Sequence, residues 1–325
     1  MIVSNDTIMK PPYDITPAIL KLITQISENL GEVNANFLDK PSPQLRKQNK
    51  IKTIHSSLSI EGNTLTEEQI TALLEEKRVI GPKKDIEEVL NAISIYENLE
   101  NYSPFSIDSF LEAHLDLMKG LVKGAGEFRK QGVGIVKGEQ VQHLAPPFEN
   151  VPGLMKDLFE YLEDPDELCL IKSCVFHYEM EFIHPFLDGN GRMGRLWQTL
   201  ILKEEYPVFE FLPFETLISE TQEDYYKALA ISDKTGKSTV FIEYMLGLIN
   251  ESLDVLLVFN NRTLSDVERL EYFISQSLNT FSRKDYMSVF KDISSATASR
   301  DLKKGIELAL FTKEGEKNKT VYVLK

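Results

Sequence analysis

The chain has 325 residues, of which 42% are hydrophobic and 26% are charged, a composition typical of a globular protein with one large and one small domain. The net charge of −14 argues against broad electrostatic affinity for nucleic acids or anionic membranes. No apolar stretch suits a signal peptide or a membrane span. Cys169 and Cys174 are expected to remain unpaired thiols, so we expect a cytoplasmic protein without a membrane partner.

Helical periodicity dominates the chain before residue 280. Apolar residues recur at i, i+3 or i+4 and i+7, which predicts helices with one buried face over residues 16–33, 66–79, 85–102, 106–122 and 150–164. Asn150 is the expected N-cap of the last of these. The range 167–183 is apolar almost all round, which predicts a helix at the centre of a helical bundle.

Two regions have a different pattern. Residues 132–144 alternate apolar and polar residues around Lys137-Gly138, which predicts a β-hairpin. Beyond about residue 261, three helical segments are followed by two short strands around a charged turn, which predicts a winged helix-turn-helix with its recognition helix at 294–304. The net charge is +2 over residues 263–325 and −16 over residues 1–262, an asymmetry that supports a separate C-terminal domain.

The sequence HPFLDGNGRMGR at residues 184–195 combines types that suit phosphate chemistry. Pro185 predicts that the preceding helix ends near residue 183. The run Asp-Gly-Asn-Gly allows positive φ at several positions, so that successive N–H groups form an anion-binding nest where the next helix begins.

The charged side chains of this loop extend the same interpretation. Arg192 and Arg195 lie on one face of the first helical turn and can bind phosphate oxygens together. Asp188 is a hard oxygen ligand suited to Mg²⁺. His184 is the group that can accept a proton near neutral pH.

The loop resembles the motif of the Fic family at every fixed position. The similarity extends over most of residues 12–250 and includes RKQNKIKTIHSSLSIEGNTLTEEQI, PPFENVPGLMKDL and YYKAL. The resemblance implies a mainly α-helical bundle with a small hairpin flap, followed here by the winged helix. It also implies transfer of AMP from ATP to a Tyr, Thr or Ser hydroxyl of a protein, with release of pyrophosphate.

The resemblance assigns roles within the loop. His184 would be the catalytic base, and Asp188 would hold Mg²⁺ on the phosphates. Contacts with the nucleotide would come from Gly189, Asn190, Gly191, Arg192, Gly194, Arg195 and, on the adenine side, Tyr225. The hairpin at Val133–His143 would align a target segment by strand addition. Asp233 stands where relatives have asparagine, which puts that part of the pocket in doubt.

Gly191 selects among the chemistries of the family. Kinases of the Doc type have lysine at this position and bind the nucleotide reversed, so the glycine favours AMP transfer. A relative that uses CDP-choline keeps much of the same motif, so the identity of the nucleotide stays open.

A second motif lies at Ser57–Gly62. Gly62 suits a helix C-cap, and that explanation is compatible with a second one. The pattern resembles the inhibitory motif of class II, self-inhibited Fic proteins, which implies that Glu61 pairs with Arg195 and occupies the space of the γ-phosphate.

Several alternatives remain at this stage. His177, Glu181, His184 and Asp188 have a spacing that suggests a transition-metal site, but His177 lies in an apolar stretch and we favour a core histidine. A rival function is a DNA-binding regulator that senses nucleotide. Partners include an unknown target, the chain itself through auto-modification, and DNA or protein at the winged helix; a homodimer is left open.

The sequence predicts three domains. Residues 1–100 would form a helical region with the inhibitory motif, residues 101–262 the catalytic core, and residues 263–325 the winged helix.

Overall fold

The computed structural model describes residues 10–35, 43–137, 140–261, 265–276, 280–290, 293–315 and 320–324. Within these ranges no helix is both long and apolar enough to cross a membrane. The chain forms two compact units, one of residues 1–39 and 49–255 and the other of residues 40–48 and 256–325. The finer division expected from the sequence stays a prediction.

The first unit is built mainly of helices, as the periodicity predicts. Its helices are α1 (Pro17–Ala35), α2 (Pro43–Ile60), α3 (Glu67–Leu74), α4 (Lys83–Glu97), α5 (Ile107–Leu117), α6 (Val151–Leu162), α7 (Cys169–Ile183), α8 (Asn190–Glu205), α9 (Phe214–Glu220), α10 (Gln222–Thr235) and α11 (Thr239–Asn261). The first residues of α2 and the last residues of α11 belong to the second unit.

Helices α7 and α8 pack against each other and carry the centre of the core. Ten of the 15 residues of α7 are buried, which confirms the prediction of a helix enclosed on all sides. Aromatic rings meet around them in edge-on and tilted contacts: Phe110, Phe159, Phe176, Phe186 and Trp197. Trp197 is fully buried and donates a hydrogen bond to the Pro104 carbonyl. Cys169 and Cys174 are free thiols.

The helix boundaries follow capping chemistry in some places and not in others. Thr66 and Gln69 form a reciprocal capping box at α3, and Ser106 caps α5. The prediction that the Asn150 side chain caps α6 is wrong: a short 3₁₀ turn at Phe148–Asn150 gives Asn150 helical backbone angles, and its side chain makes no cap hydrogen bond. A cap residue must be extended to reach back to the first helical turn.

The predicted hairpin is present in the first unit. Strands β1 (Gly134–Lys137) and β2 (Gln140–Leu144) pair antiparallel, with an irregularity in register between Ile135 and Val136. The turn at 138–139 lies outside the described residues.

The second unit combines three helices and a small sheet. Its described elements are α12 (Asp266–Gln276), β3 (Thr280–Phe281), α13 (Arg283–Val289), α14 (Ser295–Glu307), β4 (Phe311–Glu314) and β5 (Val321–Leu324). The three strands lie in the order β3-β5-β4 and are antiparallel. The helices and β4 and β5 agree with the sequence, whereas β3 was not anticipated; the winged-helix assignment stays a prediction.

A buried ion pair fixes the helices of the second unit. Arg269 of α12 donates from Nε and Nη2 to both carboxylate oxygens of Asp301 in α14, at 2.7 and 2.9 Å. The Tyr286 hydroxyl of α13 donates to the same carboxylate at 3.0 Å. One carboxylate therefore ties three helices together.

Candidate active site

The site begins where α7 ends. Helix α7 stops at Ile183, and His184 takes left-handed backbone angles with φ of 51°, because the following proline cannot continue the helix. The imidazole Nδ1 lies 3.3 Å from the Glu181 carbonyl oxygen. Since a carbonyl only accepts hydrogen bonds, Nδ1 carries the proton in this contact and Nε2 is left as the basic nitrogen.

The loop between α7 and α8 is held by its own side chains. Asn190 receives the Phe186 N–H and donates to the Phe186 carbonyl, at 2.9 and 3.0 Å. Within Asp188–Gly191, Gly189 alone has a positive φ, of 86°, whereas the sequence predicted several such positions. Asn190 begins α8 instead, so the groups expected to bind an anion are the N–H groups of a helical first turn, which have no partner within the helix.

Arg192 lies between two carboxylates. Its Nη1 donates to Oε1 of Glu88 at 3.2 Å, and its Nη2 donates to Oδ1 of Asp188 at 3.1 Å. Glu88 is 5% exposed and comes from α4, a helix to which the sequence assigned no role in the site. Glu88 occupies a position on the buried face of α4. A charged residue at such a position is the sequence signal that could have identified it as part of the site.

Arg195 reaches a different set of partners. Its Nη2 donates to Glu61 Oε1 at 2.8 Å and to the Ser57 carbonyl at 2.9 Å, while Nε donates to Ser57 Oγ at 3.1 Å. Burial opposes the arginine's charge, but Glu61, Tyr225 and Glu181 outweigh it, so the pKa of Arg195 is raised. In this arrangement each guanidinium contacts carboxylates of its own; that Arg192 and Arg195 bind phosphate together stays a prediction.

The segment that carries Glu61 is a helix end, as the alternative explanation held. Gly62 has a φ of 89° just beyond α2, and its N–H donates to the Ser59 carbonyl, a geometry that favours glycine. The next residue, Asn63, donates to Oε2 of Glu88 at 2.8 Å. The segment after α2 therefore supplies Glu61 to Arg195 and also contacts Glu88, a carboxylate partner of Arg192.

Two glycines allow close approach within the site. A β-carbon at Gly191 would lie 2.5 Å from Glu61 Oε1 and 3.0 Å from Arg195 Nη1. A β-carbon at Gly194 would lie 2.8 Å from the His177 ring. Gly194 thus faces α7 and allows close helix packing; its expected contact with the nucleotide stays a prediction.

A buried polar cluster lies beneath Arg195. His177 is fully buried and hydrogen-bonds through Nδ1 with Gln198, at 2.6 Å, and through Nε2 with the Tyr225 hydroxyl, at 3.1 Å. Burial lowers the pKa of His177 to about 3. His177 is therefore a core histidine, as we favoured, with both ring nitrogens in hydrogen bonds to protein groups.

Tyr225 does not have an accessible face in this arrangement. It is 2% exposed, and its hydroxyl also donates to Glu181 Oε1 at 3.3 Å. In this structure Tyr225 supports Glu181 and His177, and its expected contact with adenine stays a prediction. Asp233 accepts a hydrogen bond from the Tyr178 hydroxyl at 3.0 Å.

His114, to which the sequence analysis assigned no role, contacts the loop from α5. His114 of α5 receives the Gly126 N–H at Nδ1, so its Nε2 carries the proton and donates to the Asp188 carbonyl, at 2.9 and 3.0 Å. Its ring stacks on Phe186 with centroids 3.5 Å apart. Burial lowers the pKa of His114 to about 4, so it is neutral at pH 7.

The chemistry of Asp188 fits a Mg²⁺ ligand. Its side chain is 48% exposed, and both of its described contacts fall on Oδ1, so Oδ2 is the oxygen suited to a cation. Mg²⁺ is commonly held by one or two carboxylates together with substrate phosphates. Within the described residues, no group of three or more His, Cys, Asp or Glu side chains could hold a metal ion.

The fold and loop define a helical protein in which a glycine-containing loop that begins with His184 joins two core helices. The model of the Fic/DOC family matches residues 104–202. The crystal structure of a Fic family protein from Desulfovibrio desulfuricans G20 is 41% identical, with a TM-score of 0.75 and 98% of each chain covered. The chain belongs to the Fic family.

More distant relatives match only in part. The protein adenylyltransferase fic-1 of Caenorhabditis elegans is 29% identical over 205 residues, which is 59% of this chain and 38% of that protein. The protein adenylyltransferase Fic of Nematostella vectensis is 26% identical over 258 residues, or 74% of this chain and 58% of that protein. The chain therefore spans about two-fifths to three-fifths of these curated relatives. A solved structure of C. elegans Fic-1, at 22% identity and a TM-score of 0.62 over 75% of this chain and 74% of that one, shows the same fold.

Proposed function

We propose that this chain is a protein adenylyltransferase, which transfers AMP from ATP to a hydroxyl group of a target protein and is self-inhibited by Glu61. The observation that carries the proposal is the position of His184. His184 ends α7 with Nδ1 on the Glu181 carbonyl, and α8 begins six residues later at Asn190, in a chain whose relatives are named adenylyltransferases.

The reaction would proceed as an in-line displacement at the α-phosphorus. The target oxygen forms a bond to that phosphorus, and the bond from the phosphorus to the oxygen bridging the α- and β-phosphates breaks. Pyrophosphate leaves, and the hydroxyl proton passes to Nε2 of His184. His184 would supply the proton acceptor, and the rest of the site would align the target hydroxyl with the α-phosphorus.

The phosphates would be held by fixed positive groups. The N–H groups of the first turn of α8 and the dipole of that helix favour an anion at this end. Arg192 and Arg195 would bind phosphate oxygens once the carboxylates that contact them have moved away. Mg²⁺ on Asp188 would offset phosphate charge when bound.

Inhibition is supported by the competition for Arg195. A carboxylate and a phosphate present similar oxygen pairs to a guanidinium, so Glu61 and a terminal phosphate cannot both occupy Nη2. With Glu61 in place at 2.8 Å, a triphosphate would lose that contact and its α-phosphate would be misaligned.

The hairpin and Gly191 bear on substrate choice. The antiparallel pair β1 and β2 has an edge to which an extended target segment would add. Gly191, in place of the lysine of Doc-type kinases, favours AMP transfer over phosphate transfer.

A labelling experiment tests the proposal. The parent protein, Glu61→Gly, and Glu61→Gly combined with His184→Ala are incubated with Mg²⁺, ATP labelled at the α-phosphate, and a cell extract. Label should enter protein strongly with Glu61→Gly, weakly with the parent and not at all without His184. Nucleotide binding without transfer in the Glu61→Gly protein would favour the rival, a nucleotide-sensing regulator.

A further inference from the structure

Arg129 lies outside the Fic motif and has no role in the proposed reaction as described above. It precedes the hairpin and is 3% exposed. Its guanidinium donates to four backbone carbonyls: those of Ile183, His184, Gln131 and Pro146. An arginine this buried that binds only carbonyl oxygens in the described contacts serves to hold backbone in place.

Half of these contacts fix the end of α7. Nε donates to the His184 carbonyl at 2.8 Å and Nη2 to the Ile183 carbonyl at 3.3 Å, while the backbone N–H of Arg129 donates to the Pro185 carbonyl at 2.8 Å. The last carbonyls of a helix have no helical partner, and a positive charge there is favourable. One residue therefore satisfies three successive carbonyls.

These contacts matter because of the backbone of His184. A left-handed φ of 51° is unfavourable for a residue other than glycine, and it persists only when its surroundings enforce it. The same backbone sets the direction of the imidazole. From outside the loop, the side chain of Arg129 holds this backbone through the carbonyls of Ile183 and His184.

The other half of the contacts reaches both legs of the hairpin. Nη1 donates to the Gln131 carbonyl at 2.9 Å, ahead of β1, and Nη2 donates to the Pro146 carbonyl, beyond β2. The guanidinium is planar and rigid, with donors in a fixed fork. The hairpin base and the His184 backbone are thus joined through one stiff group.

We propose that Arg129 is a positioning residue that sets the distance between the basic nitrogen of His184 and the strand edge on which a target segment adds. The proposal rests on the proposed function, because alignment of base and target hydroxyl matters only if transfer occurs. Misplacement by about 1 Å costs roughly 100-fold in rate. Nucleotide affinity should not change, since no described contact of Arg129 involves the first turn of α8.

The test compares Arg129→Lys with Lys130→Met, both in the Glu61→Gly protein; Arg129→Met is the second variant if Arg129→Lys does not fold. Lys130 is the neighbouring residue; its side chain is 80% exposed and pairs with Glu127. The Arg129→Lys variant should lose about 100-fold in the rate of AMP transfer, with the Kd of ATP changed less than about twofold. Lys130→Met should retain both. Equal transfer rates for the two variants would overturn the proposal, as would a loss explained by weaker ATP binding.

Hydrogen exchange supplies a readout that needs no transfer. Measured at equal distance below each melting temperature, amides of residues 131–146 and 183–188 should exchange faster together in Arg129→Lys and not in Lys130→Met. Faster exchange in only one of the two segments would contradict the link. If the Glu61→Gly protein itself transfers nothing, the proposed function fails, and the exchange result alone decides the link between hairpin and His184.

Discussion

Removal of the Glu61 carboxylate should raise the affinity for ATP, and the structure sets the size of the effect. The contact with Arg195 is a charge-assisted hydrogen bond of 2.8 Å, in which the arginine side chain is 1% exposed and the glutamate 31%. Hydrogen bonds to charged groups contribute about 1.5–3 kcal/mol. Because Glu61 is one-third exposed, we take the lower end, about 1.5 kcal/mol, which is about tenfold in Kd.

The assay is isothermal titration of the parent, Glu61→Gln and Glu61→Gly with ATP and with AMP. Arg195 keeps its contacts with Ser57 in each variant, so its guanidinium stays oriented. The Kd of ATP should fall about tenfold in Glu61→Gly and less in Glu61→Gln, whose amide oxygen still accepts a hydrogen bond. Glu160→Gln, which removes an exposed carboxylate paired with Lys156, is the control. The Kd of AMP should not change in any variant, since AMP lacks the γ-phosphate for which Glu61 is proposed to substitute. An equal gain for AMP and ATP, or no gain for ATP, would refute the competition.

Three further predictions concern packing and pH. Because its β-carbon would overlap Glu61 Oε1, Gly191→Ala should be less favourable for the free energy of unfolding in the parent than in the Glu61→Gly protein, by about 1 kcal/mol. An equal effect in both, measured by urea unfolding, would exclude that overlap. Burial lowers the pKa of His177 to about 3, so folding favours its neutral form and stability is lost as pH falls below about 6.5. Between pH 6 and 4 the free energy of unfolding of the parent should fall by up to about 1.4 kcal/mol per pH unit more than that of His177→Gln. Identical pH dependence of the two unfolding free energies would contradict this. Asp301→Asn removes the buried carboxylate that accepts from both Arg269 and Tyr286 and should destabilise the second unit by about 1.5–3 kcal/mol, seen as faster hydrogen exchange in α12, α13 and α14. Asp266→Asn, on the surface, should show no such change.

The sequence predicted the parts of the fold that local patterns encode. The apolar run of α7, the proline after His184 and the alternation around β1 and β2 are signals within a few residues of one another, and the structure confirms all three elements. Asn150 shows the limit of such signals, because the chain before α6 turns as a 3₁₀ helix and takes the side chain away from the helix end.

The candidate site was predicted less completely, for a physical reason. The residues of the loop and Glu61 belong to recognisable motifs, and Glu61 lies on Arg195 as the resemblance implies. The partner of Arg192 is Glu88, 104 residues away, and Arg129 and His114 contact the loop mainly through its backbone carbonyls. A backbone carbonyl is common to every residue, so no residue type in the loop indicates which side chain will bind it.

The most direct test of the account is to supply the Glu61→Gly protein with ATP labelled either at the α-phosphate or at the γ-phosphate. We expect label to enter protein only from the α-position, with the γ-label recovered in pyrophosphate and no incorporation when His184 is replaced by alanine. Transfer of the γ-label to protein would instead mean phosphorylation, and would contradict the account of the site as an AMP transferase.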